Sequence, residues 1–422
     1  MKFSKKILEN GMRVITVPMK DNPTATVMVL AEAGSKYETK DINGISHFLE
    51  HMCFKGTTKR PSSFHITREL DQIGASYNAF TSQEFTGYYA KARAENLPEI
   101  LDIISDLYLN PIFPEKEIEK EKGVIIEEIN MYEDTPQDHV QDMFLKLLYG
   151  DQPAGWNVAG TKEVVHRLKR EDFVKYRDAH YVGSATTIIV AGHIDEKAVI
   201  SGIEKLFKNI PNSSKGKKLK VQEKQKVPAV LLKERVGDQA HLVLGVRTYD
   251  VYDKKTRVAN LLSGILGGGM SSRLFQKLRD DLGICYYVSA GNDSATDSGS
   301  FSVSAGVDIN RAEQAIQAIL LELKKSKEEL VSEEELNRVK EYLIGHLYLG
   351  LESSNSLANF YGFQEVLKRE ILRPEEMVRE LKLITPKQIQ GVAQEIFQDT
   401  KLNLAIIGPF SDSKKFSSIL KF

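Results

Sequence analysis

Residues 168–194, LKREDFVKYRDAHYVGSATTIIVAGHI, align without a gap on residues 384–410, ITPKQIQGVAQEIFQDTKLNLAIIGPF. Both stretches read as a helix with a polar start, a short polar turn, an apolar strand and then Gly192 or Gly408. The openings of the two halves correspond as well: GMRVITVPMKDNPTATVMVLAEAG and VPAVLLKERVGDQAHLVLGVRTYD each read as strand, polar turn, strand. Self-similarity of this kind points to duplication of one unit. Between these ends, stretches such as AEQAIQAILLELKKSKEEL and EEMVRELKLI carry apolar residues at helical spacing. Each half is therefore expected to be α+β, antiparallel strands backed by a layer of helices. The Lys-rich stretch PNSSKGKKLKVQEKQK, residues 211–226, has almost no large apolar side chains and reads as a crossing between the halves. The division expected from sequence is 1–210, a linker at 211–227, and 228–422.

At 422 residues the chain is too long for one ordinary core, which agrees with a duplicated unit. Formal net charge is −1, so bulk electrostatics favours neither nucleic acid nor an anionic membrane. The two cysteines, Cys53 and Cys285, are far apart and do not suggest a disulfide scaffold. The opening MKFSKKILENGMRVITV runs directly into an alternating strand pattern without a signal-like apolar core. No run of about 18 apolar residues is present to span a bilayer. The expectation is a cytoplasmic protein.

One stretch carries chemistry: GISHFLEHMCFKGT, residues 44–57. On a helix, Ile45, Phe48, Leu49 and Met52 share one arc, and His47, Glu50 and His51 share the opposite one. The apolar arc packs the helix down, and the polar arc presents two imidazoles one turn apart, the spacing at which both can bind one metal ion. Glu50 stands beside them, within reach of a water at that ion. A catalytic zinc needs a third protein ligand. EKEIEKEKGVIIEEINMYEDTPQDHV reads as a long helix in which Glu121 and Glu128 share a face and Glu127 points elsewhere. One carboxylate of that face would ligate while the other orients a histidine. Spacing alone does not separate Glu127 from Glu128. The other seven histidines have no metal-ligand companions at useful spacing. The glycine run 267–269 lacks the residues of a phosphate loop and reads as a mobile connection.

HFLEHMCFKGT followed at this distance by EKGVIIEEINMYEDTP resembles the pitrilysin-type metallopeptidases of family M16, closest to the branch that includes mitochondrial processing peptidase subunits. The resemblance covers both halves and implies a clamshell of two tandem α+β domains. It implies one zinc per chain held by His47, His51 and Glu128, with Glu121 orienting a ligand and Glu50 as general base. GGGMSSRLFQKLRDDLGICYYVSA is similar to the family segment that supplies a substrate-holding arginine and a tyrosine, here Arg279 and Tyr286, with Tyr287 as a second candidate. Cys285 stands where a small residue is usual. GASYNAFTSQEFTGYYA corresponds to an edge strand that pairs with substrate backbone, so Asn78, Ala79 and Phe80 would line the cleft. The implied activity is cleavage of unfolded peptides inside a chamber formed by two chains, a homodimer or a heterodimer with a second M16-like subunit. A non-catalytic scaffold subunit is the alternative.

Overall fold

The computed structural model describes residues 2–422. The chain gathers into two compact units. The first takes the chain up to Asn130 together with 157–219 and 348–373, and the second takes 131–156, 220–347 and 374–422.

In the first unit, β1 (Ser4–Ile7), β2 (Arg13–Pro18), β3 (Thr24–Ala31), β4 (Ser76–Thr81), β5 (Thr86–Arg93) and β6 (Thr186–Gly192) form a sheet in the order β1-β2-β6-β3-β5-β4. Only β2 and β6 run parallel. β6 is buried along its whole length and β3 nearly so. That is why TTIIVAG and TATVMVLA are near-continuous apolar runs: both faces of these strands are covered. On one face Val27, Val29, Ile188 and Val190 meet Phe48, Leu49, Ile104 and Phe173 from the helices. On the other face lies helix Ser354–Lys368, so close that a Cβ on Gly362 would stand 2.9 Å from Ile189 and 3.0 Å from Leu30.

In the second unit, β7 (Ala229–Glu234), β8 (Gln239–Thr248), β9 (Cys285–Ser294), β10 (Gly299–Asp308) and β11 (Asn403–Gly408) form a sheet in the order β7-β11-β8-β10-β9. Replacing β2, β3, β4, β5 and β6 by β7, β8, β9, β10 and β11 reproduces the order and every strand direction. Helix Arg170–His180 before β6 has its counterpart in Pro386–Ile396 before β11, at a constant offset of 216 residues (170 to 386, 192 to 408). The gapless match in sequence is thus a match of helix, turn and strand. Two tandem α+β domains are what the chain folds into. Among the described residues no helix is long and apolar enough to cross a membrane.

The units differ from the sequence division 1–210, 211–227 and 228–422 in two segments. Helix Pro136–Tyr149 packs Val140 and Phe144 against Val243, Ala405 and Ile407 of the second sheet. Helix Ser354–Lys368 covers the first sheet and is fixed there by ionic contacts: Glu365 accepts from Lys5 at 2.7 Å and faces Arg13 at 3.3 Å. Each repeat therefore lends one helix to the other repeat's sheet. The physical reason is the double burial of the central strands, which needs a second covering layer that the local chain does not supply. Residues 211–228 have neither helix nor strand, as a linker should. They are nevertheless tied down: Lys218 pairs with Glu84 at 2.9 Å, and the Val221 amide donates to Asp297 at 3.2 Å. Gly267 is a site of close approach rather than part of a loose connection, since a Cβ there would stand 2.2 Å from the Ala290 amide nitrogen on β9.

Candidate metal centre

The motif helix, Ile45–Cys53, is nine residues long. Ile45, Phe48, Leu49, Met52 and Cys53 are buried, and Phe48 meets Phe173 edge-on at 4.8 Å. This docking turns His47, Glu50 and His51 to the other side of the helix, as the arcs predicted. The second contributor is helix Glu115–Asp134, anchored through buried Ile118, Ile125 and Ile129.

Two distant segments converge here. His47 Nε2 and His51 Nε2 are 3.2 Å apart, and Glu128 Oε2 is 3.6 Å from each. Four-coordinate zinc with bonds of about 2.0–2.1 Å places its ligand atoms about 3.3–3.4 Å from one another, so this triangle has the dimensions of one face of such a site. Among the described residues it is the one group of this kind. The neighbouring Glu127 is exposed and accepts only from Asn130, at 3.3 Å. Geometry therefore selects Glu128 over Glu127 as the third donor.

Glu121 lies one layer out. Its Oε1 is 2.9 Å from His51 Nδ1 and its Oε2 is 2.6 Å from the Lys55 ammonium. A carboxylate there accepts the Nδ1 proton, so the tautomer assigned to His51 leaves the Nε2 lone pair facing His47 and Glu128. Burial works against ionisation of Glu121, but its bonds to His51 and Lys55 outweigh it and hold the group below the usual carboxylate range. Burial, with His51 adding to the effect, pushes the His47 pKa down to about 3 and keeps the ring in its neutral, ligating form. Glu50 is half-buried, and burial raises its pKa against the opposing pull of Thr81 and His51.

Thr81 adds a further contact to this site. Its hydroxyl donates to Glu50 Oε2 at 2.6 Å. It is the last residue of β4, the outermost strand of its sheet, which pairs only with β5, from Ser76 opposite Lys91 to Thr81 opposite Thr86. One side of β4 is thus open for pairing, with Asn78 exposed and Ala79 and Phe80 half-buried along it. Phe80 packs against Phe85 at 6.1 Å and Phe363 at 5.8 Å. Lys55 does carry a signal in the sequence, its position four residues after His51. No local signal marks Thr81, because its partner is 31 residues away.

In the second unit, the Arg279 guanidinium donates to the Tyr286 carbonyl at 3.2 Å and lies 5.2 Å over the Phe275 ring. Tyr286 is 56% exposed. Tyr287 is instead engaged, its hydroxyl 3.1 Å from His241 Nδ1. Of the two tyrosines it is Tyr286 that is presented to solvent beside the arginine.

Residues 13–162 match the family model described as insulinase, peptidase family M16, and residues 167–343 match the one described as the peptidase M16 inactive domain. The chain belongs to the M16 peptidase family. An uncharacterized zinc protease of Bacillus subtilis, YmxG, is 36% identical over 95% of this M16 chain and 97% of its own length. An uncharacterized zinc protease of Rickettsia felis is 34% identical over 96% and 98%. A protease from Helicobacter pylori has the same fold, with a TM-score of 0.91 at 24% identity over 97% of this chain and 99% of its own. The metal cluster falls in the part matched by the first M16 model, and Arg279 and Tyr286 fall in the part matched by the second.

Proposed function

We propose that this M16 chain is a zinc-dependent endopeptidase acting on unfolded peptides. The observation that carries the reading is the triangle of His47 Nε2, His51 Nε2 and Glu128 Oε2 with the Glu50 carboxylate on the same helix. Two imidazoles and one carboxylate are a donor set suited to a catalytic zinc, one ion per chain. A bound zinc supplies Lewis acidity, polarising a water or carbonyl oxygen. His47, His51 and Glu128 hold the ion, and Glu121 with Lys55 keeps His51 in the ligating tautomer. Thr81 occupies Glu50 Oε2, which leaves Oε1 to take a proton from the attacking water and return it to the leaving amine. The open side of β4 takes the peptide as an added strand, so affinity comes from main-chain hydrogen bonds rather than from particular side chains.

Arg279 and Tyr286 complete the site in this proposal. The tyrosine hydroxyl donates to the developing oxyanion, and the guanidinium orients substrate carbonyls. They come from a facing second copy, so the active form is a homodimer with two composite sites around a chamber that admits extended chains and excludes folded ones. The free cysteines, one of them buried, fit a reducing cytoplasm. The experiment is Glu50→Gln assayed on a quenched peptide together with metal analysis. Zinc should stay bound and hydrolysis should vanish. Full turnover by the variant would overturn the role of Glu50, and a wild-type chain without zinc or hydrolysis would leave only a scaffold subunit.

A further inference from the structure

The motif helix starts in an unusual way. Its N-cap is Gly44, with φ +100°, and no side chain caps it from that position. Ser, Thr, Asp or Asn normally stands there and satisfies the amides of the first turn. Here none can: a Cβ on Gly44 would lie 2.5 Å from the Ala159 carbonyl oxygen and 2.9 Å from Gly160 Cα, and the left-handed φ adds strain for any L side chain.

The cap comes instead from Glu38, six residues earlier. Its Oε2 accepts from the Gly44 amide at 2.7 Å and from Asn43 Nδ2 at 2.8 Å, and its Oε1 accepts from the Ser46 amide at 2.8 Å. Glu38 is 3% exposed, so this is a buried carboxylate with no place in the hydrolytic chemistry. Burial pushes its pKa up, and the hydrogen bonds it accepts pull against that. The Gly44, Asn43 and Ser46 N–H groups all point at this carboxyl, and the Ser46 hydroxyl bonds to it as well. The negative charge also sits at the positive end of the helix. The Ser46 side chain adds a second tie, its hydroxyl 2.7 Å from that of Tyr176.

His47 is the residue immediately after Ser46. A helix of nine residues is too short to hold its own frame in water, where isolated helices under about 12–15 residues are marginal. Functional constellations need their members held to about 0.5 Å, so what fixes the first turn also fixes the imidazoles. We propose that Glu38 is a positioning residue for the metal centre: by capping the first turn across Gly44 it sets where His47 and His51 stand. This inference rests on the zinc-peptidase reading.

The test compares wild type with Glu38→Gln, whose amide turns one acceptor into a donor facing the helix amides. Zinc affinity is measured by chelator competition, well below the melting temperature of each protein, and kcat and KM are measured on one peptide. Loss of a cap corresponds to about a tenfold change in an equilibrium, so the variant should bind zinc about tenfold more weakly and lose kcat with KM little changed. A purely structural role would lower the melting temperature and leave zinc affinity of the folded protein alone. Glu38→Asp, which withdraws the carboxylate by one methylene, is the second variant and should fall between the two. Wild-type zinc affinity in whichever variant folds overturns the inference while leaving the peptidase reading intact. A wild-type chain that binds no zinc overturns both.

Discussion

Replacing Thr81 by valine removes one oxygen and leaves the strand unaltered in shape. The lost contact is short, 2.6 Å from Thr81 Oγ1 to Glu50 Oε2, and its acceptor is a carboxylate. Hydrogen bonds to charged groups contribute about 1.5–3 kcal/mol net. Glu50 is only half-buried, so water replaces part of the contact, and the lower half of that range applies. If that free energy is spent on holding Glu50 in its productive orientation, kcat should fall by about 10- to 40-fold, since 1.4 kcal/mol is tenfold. KM and zinc content should stay near wild type, because neither the zinc donors nor the open side of β4 is touched. Thr81→Ser keeps the hydroxyl and should retain kcat within about threefold. The assay is steady-state hydrolysis of a quenched peptide, with zinc quantified on the same samples. A valine variant with kcat within twofold of wild type would refute the orienting role, and a variant that loses zinc would place Thr81 in the folding of the site instead.

Two further outcomes follow from the packing. Residues 1–219 and 220–422, made as separate chains, should each fail to give a cooperative melt, because each lacks the helix that covers one face of its sheet; co-expression should restore the melt, and a cooperative melt by either part alone would contradict the exchange. His180 is held near Tyr176, 4.3 Å between ring centroids, and burial pushes its pKa down to about 4. The unfolded chain, with histidine near its ordinary 6.5, then binds a proton that the folded chain refuses, so stability should be constant above about pH 6.5 and fall by up to about 3 kcal/mol as pH drops to about 4. His180→Gln should flatten that slope in urea titrations across this range, leaving the share that His47 contributes by the same argument, and a slope identical to wild type would show that the acid sensitivity comes from elsewhere.

The repeat was legible because it is written locally: a polar-started helix, a turn and an apolar strand keep their spacing, and the structure reproduces them at one offset. His47, Glu50 and His51 were legible for the same reason, since one turn of helix fixes their relation and the apolar arc fixes which way they face. The choice of Glu128 over Glu127 came from the family resemblance and not from spacing, because both stand on one helix and its docking on Ile118, Ile125 and Ile129 decides which carboxylate turns inward. The exchange of helices was invisible because an amphipathic helix declares that it has an apolar face and not which sheet will receive it. Glu38 and Thr81 were invisible because a lone acid in a loop and a threonine at a strand end are ordinary, and their roles come from partners brought near only by folding.

The central claim is tested most directly by zinc stoichiometry and affinity in wild type, Glu127→Gln and Glu128→Gln. Wild type and Glu127→Gln should each hold one zinc per chain with equal affinity. Glu128→Gln should weaken binding by more than the roughly 10- to 100-fold seen when only a hydrogen-bond partner of a ligand is removed. Unchanged zinc binding by Glu128→Gln, or its loss in Glu127→Gln, would contradict the site described.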